Sequence, residues 1–287
     1  LMGIEFPNRV GLAAGFDKQG YFPKAAAAMG FGHIEVGAVT PLPQPGQARP
    51  RLHRAPPFAL RNHMGFNNDG VEKVVARLRG RHPLVVGLNL GKGVDTPLEQ
   101  ALNDYVTVMR ASAQVVDYFS INISSPNTAG LRQLAEEEPL TKLCQGLRRA
   151  ADQDAQARGG RPRPLLIKVS PDQEDSQLKT LARVARESGM SGLIATNTTV
   201  QRPGPWDRQP PQGGLSGLPL LRRSPEVVAL LRDQLGPNFP IVGVGGIYDE
   251  STALAMRRAG ADLIQVYTGL IYEGPGLPRR LAAALAK

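Results

Sequence analysis

Short apolar segments rich in branched residues alternate with longer segments of helical periodicity, and this alternation recurs about eight times along the chain. Such repetition predicts parallel strands joined by helices, and eight units are typical of a (β/α)8 TIM barrel, an α/β fold. We expect strands at 10–14, 33–39, 84–90, 118–123, 165–169, 192–196, 241–244 and 263–267. We expect helices at 18–29, 70–78, 97–116, 139–157, 173–188, 225–235, 249–259 and 277–286.

Two connections, near 40–66 and 200–221, are longer than the others and are rich in proline, glycine and polar residues. Loops of this length in a compact domain are usually lids or binding loops. The total length of 287 residues suits one barrel. We therefore expect a single catalytic domain over 1–287, with these two connections as active-site loops.

Uncommon polar residues gather where the predicted strands end. Because the loops that follow the strands of a barrel meet at one mouth, polar residues at these positions indicate an active site. The residues concerned are Lys18, Asn89, Asn122, Ser125, Asn127, Lys168, Thr196, Asn197, Tyr267 and Thr268.

Two glycine-containing segments, 243–246 and 267–269, follow the seventh and eighth predicted strands. Glycine lets backbone amides approach phosphate oxygens closely. Each segment alone is equally consistent with a packing turn, but the pair at these two strands is typical of the phosphate site of barrel enzymes. We therefore expect a phosphate-bearing ligand at this end of the barrel.

Composition excludes several classes of protein. Apolar residues make up 41% of the chain and charged residues 21%, which is enough to bury a large core. No apolar run approaches the roughly 18 residues of a membrane span. The single cysteine, Cys144, excludes an intramolecular disulfide framework and fits a reducing compartment. The chain starts at Leu1 without the pattern of a signal peptide, and we do not expect this to be the native start.

The net charge of +9 favours anionic ligands, whether nucleic acid, acidic lipid headgroups, carboxylates or phosphates. Most arginines lie in or beside predicted helices, where a solvated surface is the simplest interpretation. Aromatic residues are only 5% of the chain and do not interleave with the basic clusters. We therefore expect no nucleic-acid partner.

The segment 122–128 is dense in Asn and Ser side chains and is stiffened by Pro126. It is also consistent with a turn whose side chains bond their own backbone. A serine hydrolase is disfavoured, because the four histidines lie in early segments and no Gly-x-Ser-x-Gly motif is present. The histidines also lack the spacing of paired metal ligands, so no metal is expected.

Two lysines are candidates for ligand contacts. Lys168 ends an apolar strand, where a buried ammonium needs an anionic partner, either a ligand or a carboxylate. Lys18 stands at the start of a predicted helix, so a solvated helix face remains the stronger alternative for it.

Six collinear motifs resemble dihydroorotate dehydrogenase over nearly the whole chain. They lie at 13–18 (AAGFDK), 62–68 (NHMGFNN), 122–132 (NISSPNTAGLR), 196–199 (TNTT), 213–217 (GGLSG) and 243–247 (GVGGI). The chain is specifically similar to the class 2, quinone-reducing branch, because Ser125 stands where the soluble class 1 branch carries a cysteine. The only cysteine, Cys144, lies elsewhere.

This resemblance implies an FMN enzyme that oxidises dihydroorotate to orotate in pyrimidine biosynthesis, with Ser125 as catalytic base and hydride passing to the flavin. It assigns substrate contacts to Lys18, Asn62, His63, Met64, Gly65, Phe66, Asn122, Asn127, Asn197 and Thr198. It assigns flavin contacts to Ala14, Gly15, Lys18, Ala38, Asn89, Asn122, Lys168, Thr196, Gly217, Gly246, Tyr267 and Thr268.

Some positions depart from the family pattern. Ala38 replaces a usual Thr or Ser, which leaves only a backbone contact to the flavin there, and His63 replaces a usual Arg or Tyr. Class 2 enzymes also carry a helical extension before the barrel that lies on the membrane, whereas only nine residues precede the first predicted strand here. We therefore expect quinone reduction and peripheral attachment to a membrane, most simply the cytoplasmic side of a bacterial inner membrane, for the parent protein, and a soluble chain for this sequence by itself.

Two alternatives remain. Another FMN barrel, such as a tRNA dihydrouridine synthase, would suit the basic charge, but that family uses a catalytic cysteine, and Cys144 lies in a helical pattern. A non-catalytic basic barrel that binds phosphate ligands or nucleic acid would show steep salt-dependent RNA binding without a bound chromophore.

Overall fold

Strands and helices alternate along the computed structural model, which describes residues 1–128 and 130–286. The strands in these residues are β1 (Val10–Leu12), β2 (His33–Val39), β3 (Leu52–Arg54), β4 (Ala59–Asn62), β5 (Val85–Leu90), β6 (Tyr118–Asn122), β7 (Leu165–Val169), β8 (Gly192–Ala195), β9 (Gly214–Gly217), β10 (Ile241–Val244) and β11 (Leu263–Val266). The α-helices are α1 (Pro23–Met29), α2 (Val71–Arg77), α3 (Ala101–Ser112), α4 (Glu137–Ala157), α5 (Asp175–Glu187), α6 (Arg223–Leu235), α7 (Glu250–Arg258), α8 (Thr268–Glu273) and α9 (Leu277–Leu285).

Eight parallel strands close into a barrel in the order β1-β11-β10-β8-β7-β6-β5-β2. This confirms the predicted (β/α)8 architecture. The register pairs Asn89 of β5 with Ser120 of β6, and Asn122 of β6 with Lys168 of β7. Since paired residues on adjacent strands share a face, these four side chains lie on the same side of the barrel wall.

Side chains alternate between the inside of the barrel and the surrounding helices. Ile167 belongs to the large apolar cluster that joins strand residues to helix residues such as Met109. Its neighbour Leu166 belongs instead to a small cluster made of strand residues, against which Phe6 and other residues of the N-terminal segment pack. The strands therefore form the wall between two apolar cores, and Lys168, two residues beyond Leu166, points inward.

The first helix begins later than predicted, at Pro23 instead of residue 18. The cause is Asp17, whose carboxylate accepts hydrogen bonds from the backbone N–H groups of residues 19 to 22 at 2.8–3.3 Å. These bonds hold 17–22 as a turn that a helix cannot share. Lys18 therefore lies on a loop, and the prediction that a helix begins at residue 18 was wrong.

The two long connections contain strands that the sequence did not predict. β3 pairs with β4 and β4 pairs with β9, which makes an antiparallel three-stranded sheet from 40–66 and 200–221. Trp206 packs beneath this sheet against Ala59 and Leu215, and its indole Nε1 donates a hydrogen bond to the Ala55 carbonyl at 2.9 Å. The two connections are thus one folded unit above the barrel.

Two smaller differences concern helices. The predicted helix 97–116 consists of a 3₁₀ turn at Leu98–Gln100 followed by α3. The short helix α8 follows β11 directly and was not predicted. Among the described residues, no helix is long and apolar enough to cross a membrane.

His33 lies at the first position of β2 and is 1% exposed. Its ring occupies the space above Gly11, where an added Cβ would lie 2.0 Å from Nε2, and it packs edge-on against Phe6 at 5.4 Å between ring centroids. Neither ring nitrogen has a hydrogen-bond partner among the described residues. Burial therefore lowers the pKa of His33 from 6.5 to about 3.

We predict that the free energy of unfolding falls as the pH drops below about 6.5. The reason is that His33 binds a proton near pH 6.5 in the unfolded chain, whereas in the folded protein its pKa is about 3. Between about pH 7.5 and about pH 5.5 this group contributes a loss of about 1 kcal/mol. Urea unfolding measured at both pH values should show that the loss of unfolding free energy between them is smaller in His33→Leu than in wild type by this amount. His53→Gln, in the edge strand β3, is the matched control, and equal pH dependence in wild type and His33→Leu would contradict the prediction.

Candidate active site

A single cavity at the carboxyl ends of the barrel strands gathers nearly all of the predicted site residues. The empty space between the strand ends and the small sheet, including the open mouth, is about 990 Å³. The predicted residues that line it are Ala14, Gly15, Lys18, Ala38, Asn62, Met64, Gly65, Phe66, Asn89, Asn122, Ser125, Asn127, Lys168, Thr196, Asn197, Thr198, Gly217, Gly246, Tyr267 and Thr268.

His63 is the predicted substrate residue that does not line the cavity. Its backbone N–H donates a hydrogen bond to the Arg51 carbonyl at 2.8 Å, which extends the β3–β4 ladder by one residue. Because successive residues of an extended segment face opposite ways, His63 points away from the side that Asn62 occupies. Its Nδ1 is buried without a partner among the described residues.

Lys18 and Lys168 are the charged side chains among the described residues that line the cavity. Burial, together with the smaller effects of the nearby charges of Arg51 and Lys168, lowers the pKa of Lys18 from 10.5 to about 8. Burial also lowers the pKa of Lys168, while the carboxylate of Glu35 opposes that shift. Since no carboxylate lines the described cavity wall, the cavity is suited to an anionic ligand.

The floor of the cavity is a buried hydrogen-bond network centred on Glu35, which is 0% exposed. Its Oε1 accepts from Asn89 Nδ2 at 2.9 Å and from Ser120 Oγ at 2.7 Å. Its Oε2 accepts from Gln265 Nε2 at 3.1 Å and, more weakly, from the Tyr118 hydroxyl at 3.4 Å. Burial and the charge of Glu35 together hold the pKa of Tyr118 well above its usual value.

A row of three amides leads from this floor to the upper part of the cavity. Asn122 Nδ2 donates to Asn89 Oδ1 at 3.1 Å, and Asn197 Nδ2 donates to Asn122 Oδ1 at 3.3 Å. The Asn197 amide also donates to Ser124 Oγ at 2.9 Å and accepts from the Thr198 N–H at 2.8 Å. The row thus fixes the side chains that the strands β5, β6 and β8 present to a ligand.

Ser125 lies on the loop after β6 and is 5% exposed. Its Oγ accepts a hydrogen bond from the Asn127 backbone N–H at 3.3 Å. The Asn127 side chain in turn donates to Asn62 Oδ1 at 3.0 Å, which connects this loop to the small sheet. Ser125 is therefore held at the cavity wall between the barrel and the sheet that covers it.

The Ser125 loop is also anchored on its outer side through Asp172. The Asp172 carboxylate accepts from Arg132 at 2.9 Å, from the Val200 N–H at 3.0 Å and from the Thr199 hydroxyl. These bonds join the loops that follow β6, β7 and β8. The three loops therefore hold their positions relative to one another.

The glycine segment after β10 lies against the turn that follows β9. A Cβ at Gly246 would lie 2.5 Å from Leu221 Cα, so a side chain there would separate the two segments. No described residue accepts a hydrogen bond from the Gly246 N–H. Beside it, the Thr268 hydroxyl donates to Ser216 Oγ at 2.8 Å. Backbone and hydroxyl donors thus converge at this end of the cavity.

Several residues that line the cavity were not predicted, among them Leu52, Ser216, Leu220 and Gln265. Leu52 and Ser216 lie on β3 and β9, the strands that were treated as loops. Gln265 and the floor residue Glu35 are polar residues in the middle of apolar strands, and that contrast was a usable signal. Gln265 Oε1 is buried and has no hydrogen-bond partner among the described residues.

Cys144 is far from this chemistry. It lies in α4, is 1% exposed and does not line the cavity. Burial raises the pKa of its thiol to about 12, so it carries no thiolate near neutral pH.

Comparisons with known proteins show the family to which this chain belongs. The sequence profile of the dihydroorotate dehydrogenase family matches residues 1–287. A protein from Cellvibrio japonicus named dihydroorotate dehydrogenase (quinone) is 47% identical over 290 residues, covering 100% of this chain and 84% of the relative. A protein of the same name from Chloroflexus aurantiacus is also 47% identical, over 99% of this chain and 80% of the relative.

A solved structure gives the same result for the fold. The crystal structure of DHODH from Eimeria tenella in complex with ferulenol superposes with a TM-score of 0.92 at 36% identity. The match covers 99% of this chain and 81% of that one. The sequence profile, the relatives and the shared architecture agree, and the chain belongs to the dihydroorotate dehydrogenase family.

Proposed function

We propose that this chain oxidises dihydroorotate to orotate with FMN as its cofactor and a quinone as the electron acceptor. The observation that carries the proposal is the cavity itself, where Ser125, a row of three asparagines and two lysines meet without a carboxylate on the described wall. A carboxylated cyclic imide is an anion rich in donors and acceptors, so it matches both the charge and the amides. The curated relatives carry the name dihydroorotate dehydrogenase (quinone).

The donor set of the cavity fits FMN. The N–H of Gly246, which has no acceptor among the described residues, and the neighbouring Thr268 and Gly217 suit the phosphate. Lys168, Asn89 and Thr196 suit the polar ring edge. The unpartnered Gln265 Oε1 is a buried acceptor that a ring N–H could satisfy. When bound, FMN supplies the two-electron acceptor for the substrate's carbon–hydrogen bond.

The chain's own residues bind and orient the substrate. Asn62 and Asn127 bond to each other across the cavity roof, and Asn122 and Asn197 do so deeper in the cavity. Each amide offers both a donor and an acceptor, so this set can match the alternating carbonyl and N–H groups of the ring. Lys18, which is a cation below about pH 8, is assigned to anion binding.

Ser125 is the proposed catalytic base. Its Oγ accepts a hydrogen bond from the Asn127 N–H, which leaves its own hydroxyl proton free to pass to an acceptor as it takes a proton from the substrate methylene. A serine hydroxyl is a weak base at its ordinary pKa. The burial of Ser125 contributes a fixed position for the hydroxyl in a cavity that holds little water. The anchoring of this loop to Asn62 and Asp172 supports such a role.

A tRNA dihydrouridine synthase is less well supported. The catalytic cysteine of that family would have to lie at the cavity, whereas Cys144 is buried in α4 and its thiol pKa is raised to about 12. The proposal includes peripheral membrane association only because the quinone is lipid-soluble and is therefore reached at a membrane surface.

Anaerobic mixing of the flavin-loaded protein with dihydroorotate tests the proposed function. Bleaching of the flavin absorbance, with orotate formed in equal amount, is the expected result. A colourless protein that binds RNA with steep salt dependence would instead support a non-catalytic basic barrel. A flavin that stays oxidised in the presence of dihydroorotate would overturn the proposal.

Replacing Ser125 with Ala should slow the reduction of bound flavin by dihydroorotate about 10²- to 10⁴-fold, because the base for the methylene proton is removed. Orotate affinity and flavin content should remain near wild type. Stopped-flow absorbance gives the reduction rate. Ser124→Ala is the matched control, since Ser124 accepts from Asn197 and should affect affinity more than rate. An unchanged reduction rate in Ser125→Ala would remove Ser125 from the mechanism.

The affinity for orotate should fall as the pH rises through about 8, because Lys18 loses its charge there and the ligand stays anionic. Above that pH we expect a loss that approaches about tenfold per pH unit. Orotate titration of the oxidised protein, followed by the change in flavin absorbance, measures it. Lys18→Met should bind more weakly with no transition near pH 8, and an unaltered pH profile in this variant would refute the assignment.

A further inference from the structure

The carboxylate of Glu35 lies in the barrel interior below the residues assigned to substrate and flavin, and no step described above uses it. We propose that Glu35 is a positioning residue that sets the direction of the Asn89–Asn122–Asn197 amide row, and through that direction the donor and acceptor pattern offered to the substrate. This inference rests on the proposed function, since orotate is the ligand that would bond to these donors and acceptors.

The chemistry of the two Glu35 oxygens fixes the orientation of their neighbours. An ionised carboxylate is an acceptor only, and four donors from Asn89, Ser120, Gln265 and Tyr118 converge on it. Any group that faces Glu35 must therefore present hydrogen. Asn89 does so with its amide nitrogen, which donates both to Glu35 and to Ser120 Oγ at 2.7 Å.

The orientation of Asn89 determines the next two amides. With both hydrogens of Asn89 directed to the floor, its Oδ1 can only accept, and Asn122 supplies the donor at 3.1 Å. The Asn122 oxygen is then directed to Asn197, which donates at 3.3 Å. Asn197 is left with its oxygen facing the Thr198 N–H. The same polarity is repeated at each position because every amide has one donor end and one acceptor end.

Glu35 directs Gln265 in the same way. Gln265 Nε2 is committed to Glu35, so Gln265 Oε1 is left as an acceptor without a protein partner among the described residues. Glu35 thus accepts the donors of two residues that line the cavity, Asn89 and Gln265. The Asn89 oxygen then accepts from Asn122, whereas the Gln265 oxygen has no partner among the described residues.

Glu35→Gln removes this directing effect with a change of one atom. A glutamine at 35 has one donor end, so it must direct an N–H group at either the Asn89 side or the Gln265 side, where donors already point. The row then adopts a mixed or reversed orientation. We expect orotate to bind about tenfold more weakly or worse, because at least one buried polar group is left unpaired.

Exchanging the two residues provides a rescue that only the directional argument predicts. In Glu35→Gln/Gln265→Glu, the Gln at 35 can donate its amide to the carboxylate at 265 and turn its oxygen to Asn89 and Ser120. Asn89 then keeps its wild-type orientation. Orotate should bind more tightly than in Glu35→Gln but less tightly than in wild type, because the carboxylate at 265 now lines the cavity and opposes an anionic ligand.

The experiment titrates orotate into oxidised, flavin-loaded wild type, Glu35→Gln and the exchanged variant, with flavin content and thermal unfolding recorded for each. Ser120→Ala is the matched control, because it removes one donor to Glu35 and leaves the carboxylate in place. It should lose less affinity than Glu35→Gln. Weak binding in Glu35→Gln with recovery in the exchanged variant supports the proposal.

Wild-type affinity in a folded Glu35→Gln would overturn it, as would a folded, flavin-loaded exchanged variant that binds orotate no more tightly than Glu35→Gln. If Glu35→Gln does not fold, an exchanged variant that folds and binds orotate supports the proposal, and one that folds with its flavin but does not bind orotate overturns it. Absence of orotate binding in the wild-type protein would contradict the proposed function itself, so the two failures are distinguishable.

Discussion

A closed parallel barrel keeps water away from the side chains inside it, so each polar group placed there needs a partner within the wall or on a ligand. The interior of this barrel changes character along its axis. At the lower end, the neutral ring of His33 packs against Phe6. One layer up, Glu35 takes four donors, and above it the amides open into the cavity. Glu35 therefore lies at the boundary between the apolar lower part of the barrel and the cavity. The geometry of the site depends on which donors bond to its two oxygens.

The distribution of charge explains why net charge alone was a weak guide. Several arginines of this basic chain form exposed pairs between helices, such as Arg183 with Glu137 and Arg280 with Glu250. Exposed pairs of this kind contribute little energy and carry no information about ligands. The two lysines that line the cavity have no such partner on its wall, and burial makes their charge sensitive to the surroundings. The selectivity for an anion thus comes from two side chains and not from the total of +9.

Patterns along the chain predicted the barrel well, because each strand is a local apolar run and each run falls near the predicted position. The ring of polar residues at the strand ends could also be predicted, since the loops that follow the strands of a barrel all meet at one mouth. Hydrogen bonds between residues distant in sequence could not be predicted. Glu35 and Gln265 are 230 residues apart, and no local pattern shows that they bond. The late start of α1 depended on four bonds to Asp17, which sequence periodicity does not reveal.

The small sheet above the barrel joins segments that are about 150 residues apart, with Asn62 paired to Gly214 and Ala59 to Gly217. Asn62 and Gly217 both line the cavity, and three residues of strand separate their positions by about 10 Å. The sheet therefore fixes the distance between two parts of the cavity wall. An insertion or deletion within β4 or β9 would shift that spacing, so in any exchange of loops between related barrels the segments that carry these two strands must be transferred together.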